Sequence, residues 1–534
     1  MYSSYLKSYS QFVLFATVFV CLFARACNGR TSESLDWLGL GDPEFASFNG
    51  RFPTLSDLKR LFFELGENLA ERIELLGSVT QHSSRKFLNR PFLSCANRKA
   101  ANLIKGWLEE AGCYNISIDL VGNVAGVYKG SPRTRKTLII GSHYDTVNNG
   151  GKYDGVYGIL VAVGVVQVLC KLQIRLPFDV QIVAFENEEG NNDFGLVHTG
   201  SLFYVAGSAA KRNGARRKCS RILKSQLFTK NSVHPNQCLA DYILENTPYK
   251  GQGTPNSYKS LLNYFCREYP LAVENEVLGY WEWHIEQGPI LDISRKRVGI
   301  VSAICGQERW SFAVVGKGGH AGTVPMLERK DAFAACVEMI QQVEEITKGI
   351  VSSTNGTTFL VATVGNISIA PGSSNVIPHL CSFTLDIRSA SDSLLVFARS
   401  QITRKMEEIA KRRKVKLNKK QWHRARKVEM NSGEMQEAIK YGAYISNLFE
   451  WKTNWKTKFL RMSDSVERSV PMLVSGAGHD AVVLQQLYDV NMAFIRCREG
   501  ISHQPNEHAS KQDMLAGAIT LFFSLMALAN STRQ

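Results

Sequence analysis

Apolar residues recur at helical spacing from Leu55 to Leu76, and the pattern returns over Asn97 to Ala111, where Gly112 stands as a stop. Both stretches predict outer helices. Lys136-Thr-Leu-Ile-Ile-Gly is a short apolar run bounded by a charge and a glycine. Gly155 to Leu172 reads as a helix and Phe178-Asp-Val-Gln-Ile-Val-Ala-Phe as a second strand. Strand, helix, strand in that order predicts a unit of a largely parallel α/β sheet. Ala206 to Pro270 is polar and basic, which predicts helices and loops at the rim. Beyond Cys305 come a strand-like run from Arg309 to Gly316, a helix from Asp331 to Thr347, strands around Phe359 to Val364 and His379 to Ile387, and a helix from Ser393 to Arg413. Two helices among several strands predict an inserted α+β domain of ferredoxin-like type. Pro471 to Asp480 and a helix starting near Asp480 predict a return to the first domain.

Composition changes this picture in three places. At 534 residues and 44% hydrophobic, the chain has enough apolar material for two or three packed domains. Its start carries Lys7, an apolar run from Phe12 to Ala24, and small residues at Ala24 and Ala26, the pattern of a secretory signal cleaved near Cys27. An uncleaved anchor is the rival reading, but the run is shorter than the ~20 apolar residues of a membrane span. No other stretch is expected to span a bilayer, so an ER or secreted, soluble product is predicted. Ten cysteines beyond this segment are scattered singly with no C-x-x-C pair, which argues against a zinc ribbon or a redox motif. Sequons at Asn115, Asn355, Asn366 and Asn530 fit passage through the ER. The net charge of +15 is concentrated in Lys211 to Lys224 and Arg404 to Lys427. Neither cluster carries a nucleic-acid motif. A solvated face is the simpler reading, with steering of an anionic substrate as the alternative.

Candidate chemistry gathers at the ends of the two strands. In open sheets of this kind ligands collect at the carboxyl ends of strands, and these end in His143-Tyr-Asp145 and Glu186-Asn-Glu-Glu189, with Asp154 just before the Gly155 helix. A two-metal hydrolase needs imidazole and carboxylate ligands, a bridging carboxylate and a base for the attacking water. Any one of these residues alone is more often an ordinary surface carboxylate or a satisfied histidine; two pairs at strand ends in one strand-helix-strand unit favour a site.

Six ordered motifs, Gly141-Ser-His-Tyr-Asp-Thr, Gly151-Lys-Tyr-Asp-Gly, Glu188-Glu-Gly, His284-Ile-Glu-Gln-Gly-Pro, Gly319-His-Ala-Gly-Thr and Gly500-Ile-Ser-His-Gln-Pro, resemble the allantoate amidohydrolase and N-carbamoyl-amino-acid hydrolase group. That group lies in the di-metal aminoacylase and carboxypeptidase superfamily. The resemblance runs from about Leu55 to the C-terminus. It implies two divalent ions, Mn²⁺ first and Zn²⁺ or Co²⁺ otherwise, with His143 and His284 on one, Glu189 and His503 on the other, and Asp154 bridging. Glu188 would be the general base and Asp145 would orient His143. His320 would reach the site of a partner subunit to stabilise the oxyanion, which makes a homodimer part of the mechanism. Arg309, Asn375 and Arg388 would bind the substrate carboxylate and Gln307 the ureido group.

His479 and Asp480 would support the site from behind, and His82, His198, His234, His379, His423 and His508 receive no role. The implied plan is a signal over 1–26, a linker over 27–54, a catalytic domain over 55–304 and 425–534, and a dimerisation domain over 305–424. The implied reaction is hydrolysis of a ureido C–N bond, allantoate first, with N-carbamoyl-amino-acid hydrolase, β-ureidopropionase and ureidoglycolate amidohydrolase as close alternatives. A metallopeptidase or aminoacylase, or an inactive binding protein of the secretory pathway, are the more distant ones. One departure touches the substrate: Asn191-Asn-Asp-Phe194 lacks the arginine that the group carries after Glu-Glu-Gly, and is one residue longer.

Overall fold

The structure is a computed structural model that describes residues 55–82, 87–132, 136–213, 215–247, 254–273, 275–431, 433–448 and 470–532. The expected signal and linker, 1–54, lie outside the described residues. The described residues form two compact units: the first takes those within 55–299, 433–471 and 486–532, the second those within 300–431 and 472–485.

In the first unit, strands β1 (Tyr114–Ile118), β2 (Val124–Tyr128), β3 (Lys136–His143), β4 (Asp179–Phe185) and β5 (Glu276–Ile285) share a sheet with the strand Val490–Ile495. The lateral order is β1, β2, β4, β3, β5, then Val490–Ile495. β3, β4, β5 and Val490–Ile495 run parallel, while β1 and β2 add an antiparallel edge. β3 is buried from Thr137 onward and β4 throughout, as strands covered on both faces must be. The helix Val156–Lys171 is correspondingly apolar on nearly every side, with thirteen buried residues. The helices Leu55–Gly77 and Cys95–Glu110 form where the spacing predicts them.

The basic stretch folds as four helices, Thr199–Asn213, Arg216–Leu227, Leu239–Asn246 and Tyr258–Arg267. A disulfide between Cys219 and Cys266 ties the second of these to the fourth. The helix Lys511–Ser531 corrects an expectation, since it is long and apolar enough to cross a membrane; 78% of its most apolar window is buried inside the protein, as in a core helix.

The second unit has strands Gly306–Val315, Leu360–Thr363, Ile367–Ala370, Leu380–Ser389 and Lys416–Ala425, with helices Ala332–Ser353 and Asp392–Arg412 between them. Across the sheet the order is 367–370, 380–389, 306–315, 416–425, and every neighbour is antiparallel. Leu360–Thr363 pairs with the same strand, 380–389. With one helix after the first strand and one after the strand 380–389, this is the expected ferredoxin-like arrangement. Its core packs Phe312, Met339, Phe383 and Met406 between sheet and helices. One difference stands out. Lys416–Ala425, read as part of a solvated basic cluster, is an edge strand. Met472–Gln485 is grouped with this unit, and Met472–Ser475 pairs in parallel with Ile300–Ile304. The helix near Asp480 is only the single turn Ala481–Leu484.

Candidate metal centre

β3 ends on His143, and the chain then turns through Tyr144 and Asp145, all three buried. β4 ends at Phe185 and delivers Glu188 and Glu189 on the neighbouring turn. β5 carries His284 and the loop after Val490–Ile495 carries His503. The carboxyl ends of parallel strands thus collect ligand types from opposite ends of the sequence. Asp154 reaches the same place from the turn before Val156–Lys171. That turn closes on Gly155 at φ +65°, where a Cβ would stand 2.5 Å from the His143 ring, so only glycine fits.

Three overlapping donor groups result: His143, Asp154 and His284; His143, Glu188 and Glu189; Asp154, Glu189 and His503. Within each, the donor atoms lie within 4.8 Å of one another. His284 Nε2 is 3.2 Å from Asp154 Oδ1 and 3.5 Å from His143 Nε2. His503 Nε2 is 3.0 Å from Asp154 Oδ2 and 3.1 Å from Glu189 Oε1. Ligands about 2.1 Å from a tetrahedral ion stand about 3.4 Å apart, so these spacings fit two ions that share Asp154.

The imidazole tautomers support the same fit. His284 Nδ1 faces the Ile285 carbonyl at 2.8 Å, and His143 Nδ1 faces the Asp145 carbonyl at 3.3 Å and its carboxylate at 3.5 Å. With the Nδ1 protons committed there, both Nε2 atoms are left as acceptors 3.5 Å apart, His284 Nε2 taking the Gly155 N–H at 3.2 Å, an arrangement that a cation between them would suit. The electrostatics ask for positive charge. Burial works against a charged His143, yet its bond to Asp145 and the charges of Glu188, Asp145 and Asp154 raise its pKa well above the ordinary value. Hydrogen bonds to Asp154 and Glu189 push His503 up to about 11. Burial pulls His284 down to about 4. Burial also pushes the Asp154 carboxyl up, but His503, His284 and His143 outweigh it and leave the group well below the carboxylate range.

Asp145 does more than orient His143. Its carboxylate accepts the backbone N–H of Glu188 at 3.0 Å and of Glu189 at 3.2 Å, which locks the two strand-end turns together.

Three residues here carried no expectation. Gln287 donates Nε2 to both Asp154 oxygens at 3.0 Å. Glu507 accepts the N–H of Tyr153 and Asp154 at 2.9 and 3.1 Å and the Ser502 hydroxyl at 2.8 Å, and burial raises its pKa to about 7. His198, given no role from the sequence, places Nδ1 3.2 Å from Glu188 Oε1. Gln287 stands within the His284-Ile-Glu-Gln motif, a visible signal. Glu507 and His198 had none.

The remaining expected residues lie in the second unit and fall into two places. Arg309 and Arg388 flank Asp386, with Arg309 Nε at 2.9 Å and Arg388 Nε and Nη2 at 2.8 and 3.0 Å, while Gln307 donates to the same carboxylate at 2.7 Å. Burial pushes the Asp386 carboxyl up, but the two guanidiniums hold it below the usual range. Arg309, Asp386 and Arg388 open onto a cavity of about 480 Å³ whose wall includes Trp422, and the Arg309 guanidinium lies 5.5 Å from that ring. Asn375 is not with them. It stands in the turn just before Val376, which pairs with His320 in a two-stranded ladder, its carbonyl accepting the Ala321 N–H at 2.9 Å, and His320 is exposed. His479 is buried, with Nε2 2.7 Å from the Ser475 hydroxyl.

The sequence profile of peptidase family M20/M25/M40 matches residues 139–526, a span that takes in the whole donor cluster. The chain belongs to this family. This M20 chain is 34% identical over 478 residues to allantoate deiminase 1 of Glycine max, covering 86% of the chain and 89% of that protein. It is 32% identical over 464 residues to the N-carbamoyl-L-amino-acid amidohydrolase of Pseudomonas sp. (strain NS671), covering 86% and 97%. Among solved structures, the hydantoinase/carbamoylase family amidase of Burkholderia multivorans superposes on the M20 chain with a TM-score of 0.68 at 25% identity, over 87% of the chain and 98% of that structure. The loop Asn191–Phe194, which departs from the group's pattern, is fixed in the M20 frame: Asn191 donates to Asn89 at 2.7 Å and to the Thr146 carbonyl at 3.0 Å, and Asn192 donates to the Leu196 carbonyl at 2.6 Å.

Proposed function

We propose that this protein is a metal-dependent amidohydrolase of ureido C–N bonds, with allantoate as its first substrate. The observation that carries the reading is the pair of donor groups sharing Asp154, with Glu188 beside them on the same strand end. Divalent ions held by His143, Asp154, His284, Glu189 and His503, Mn²⁺ in the first instance, would polarise the carbonyl and acidify a water here. Glu188, with Oε2 3.9 Å from His143 Nε2, takes the proton of the attacking water and returns it to the departing nitrogen. Asp145 holds His143 in the tautomer that leaves Nε2 free. Arg309 and Arg388 offer two guanidiniums against one carboxylate, an excess of one positive charge suited to an anionic substrate; Gln307 adds a polar contact there, and Asn375 would act from beside His320. His320, exposed at the end of its short ladder, serves the oxyanion of the partner subunit in a homodimer.

Hydrolysis of N-carbamoyl amino acids is the second reading, favoured by the likeness to the Pseudomonas protein. Ammonia release from allantoate, ureidoglycolate, N-carbamoyl amino acids and a dipeptide, measured in parallel on Mn²⁺-loaded protein, decides between them. Turnover of the dipeptide alone sinks both readings. For the dimer, His320→Ala mixed with Glu188→Gln restores activity through hybrid subunits; no recovery despite proven exchange counts against it. An ER or secreted location is part of the proposal, supported by the Cys219–Cys266 disulfide and by exposed sequons at Asn115, Asn355 and Asn366. Its check is an endoglycosidase shift of the protein made in its own cells.

A further inference from the structure

The return leg after the loop 190–197 runs back along the Glu188 turn. Three successive backbone bonds hold it there: His198 N–H to the Glu188 carbonyl at 3.2 Å, Thr199 N–H to Asn187 at 3.1 Å, and Gly200 N–H to Glu186 at 2.8 Å. Asn187 reinforces the ladder by donating Nδ2 to the Thr199 hydroxyl at 2.6 Å. His198 itself sits at φ +54°, in the left-handed region that a residue with a side chain seldom adopts unless its surroundings impose it. The ladder imposes it, and the outcome is that the imidazole folds over the residue its own N–H already holds. Nδ1 lies 3.2 Å from Glu188 Oε1, with the histidine side chain 18% and the carboxylate 8% exposed.

A carboxylate that takes a proton from water must present one oxygen in a fixed direction. Glu188 has its two oxygens turned to different sides: Oε1 to His198 and Oε2 toward His143 Nε2 at 3.9 Å. A donor on Oε1 fixes the side-chain torsion that aims Oε2. His198 belongs to none of the three donor groups found among the described residues, so ligating a metal is not its part. We propose that His198 is a positioning residue for the general base: its imidazole, held 3.2 Å from Glu188 Oε1 but off the hydrogen-bond angle in this structure, turns to donate Nδ1–H to Oε1 and so aims Oε2 at the attacking water. The inference rests on the reading of Glu188 as that base. It also gives the unusual loop Asn191–Phe194 a role, since that loop is the connection that returns the chain to His198.

The test uses full-length, Mn²⁺-loaded protein with three substitutions, assayed by ammonia release on the ureido substrate the unsubstituted protein turns over fastest. In His198→Asn the amide nitrogen replaces Nδ1 in position. In His198→Gln the nitrogen lies one bond further out, and His198→Phe keeps the ring without a donor. His198→Phe lowers kcat about 10–100-fold at unchanged KM, with two ions per subunit and an unchanged melting midpoint. His198→Asn recovers to within about 3-fold of the parent, and His198→Gln does not. In a Glu188→Gln background, His198→Phe has no further effect on kcat, since the group it aims is gone. Full activity of His198→Phe, an Asn variant as poor as the Phe variant, loss of bound metal, or effects that multiply in the double variant each overturn the proposal. Retained turnover in Glu188→Gln alone overturns the base assignment instead, and so separates the two failures.

Discussion

Gln287 shows how much of the centre depends on a single neutral group. Its carboxamide holds both oxygens of Asp154, the carboxylate common to two of the three donor groups, and also reaches the Ser502 hydroxyl at 3.2 Å. Gln287→Leu keeps the volume and removes the donor, so metal affinity, read by titration with a competing chelator, is expected to fall about 10–100-fold. Asp386 poses the opposite case, a carboxylate stabilised by two cations. Its folded pKa lies below the unfolded value of about 3.9. The stability it contributes is therefore complete above about pH 4 and is lost as pH falls through the lower, folded value. In Asp386→Asn that acid-dependent part disappears, and the two guanidiniums lose their counter-charge. The variant is expected to be less stable at pH 7 and to show a shallower loss on acidification, measured by denaturant melts at several pH values.

At the scale of elements, the legible parts were those whose pattern is local. β3, the helix Val156–Lys171 and β4 announce themselves because each is buried on all sides, and an unbroken apolar run bounded by charge or glycine survives any tertiary context. Lys416–Ala425 did not, because an edge strand with one solvated face spends its exposed positions on Lys419, Lys420 and Arg424 and reads as a basic surface. Its pairing partner, Gly306–Val315, lies a hundred residues upstream, and nothing local records that register. Longer separations, 354 and 353 residues, hid Glu507, whose contacts are with Tyr153 and Asp154. Helix pairing in the basic segment was equally unreadable, since ten single cysteines allow many connectivities. The Cys219–Cys266 bridge joins residues 47 apart, and closing a loop of that length restricts the unfolded chain by about 4 kcal/mol on the chain-entropy account. Cys219→Ser with Cys266→Ser should lower the unfolding free energy by ~2–4 kcal/mol, and hydrogen exchange should place the loss in helices Arg216–Leu227 and Tyr258–Arg267.

For the molecule as a whole, the division of labour between the units has a measurable form. All seven residues His143, Asp145, Asp154, Glu188, Glu189, His284 and His503 belong to the first unit, and Gln307, Arg309, His320, Asn375 and Arg388 to the second. A ligand that binds only the native state stabilises it by about 2.7 kcal/mol at a hundred times its dissociation constant. Chelation should therefore speed amide exchange in β3, β4 and β5 while leaving the sheet of Gly306–Val315 and Leu380–Ser389 protected. Equal loss in both would mean that the ions hold the second unit as well.

The interruption of the first unit by the second also orders events in time. His143, Asp154 and His284 leave the ribosome long before His503, roughly 220 residues later. At ~5–20 residues per second that gap is about 10–40 s. A nascent chain thus carries every donor of the His143, Asp154 and His284 group while His503, the last donor of the Asp154, Glu189 and His503 group, is still to be translated.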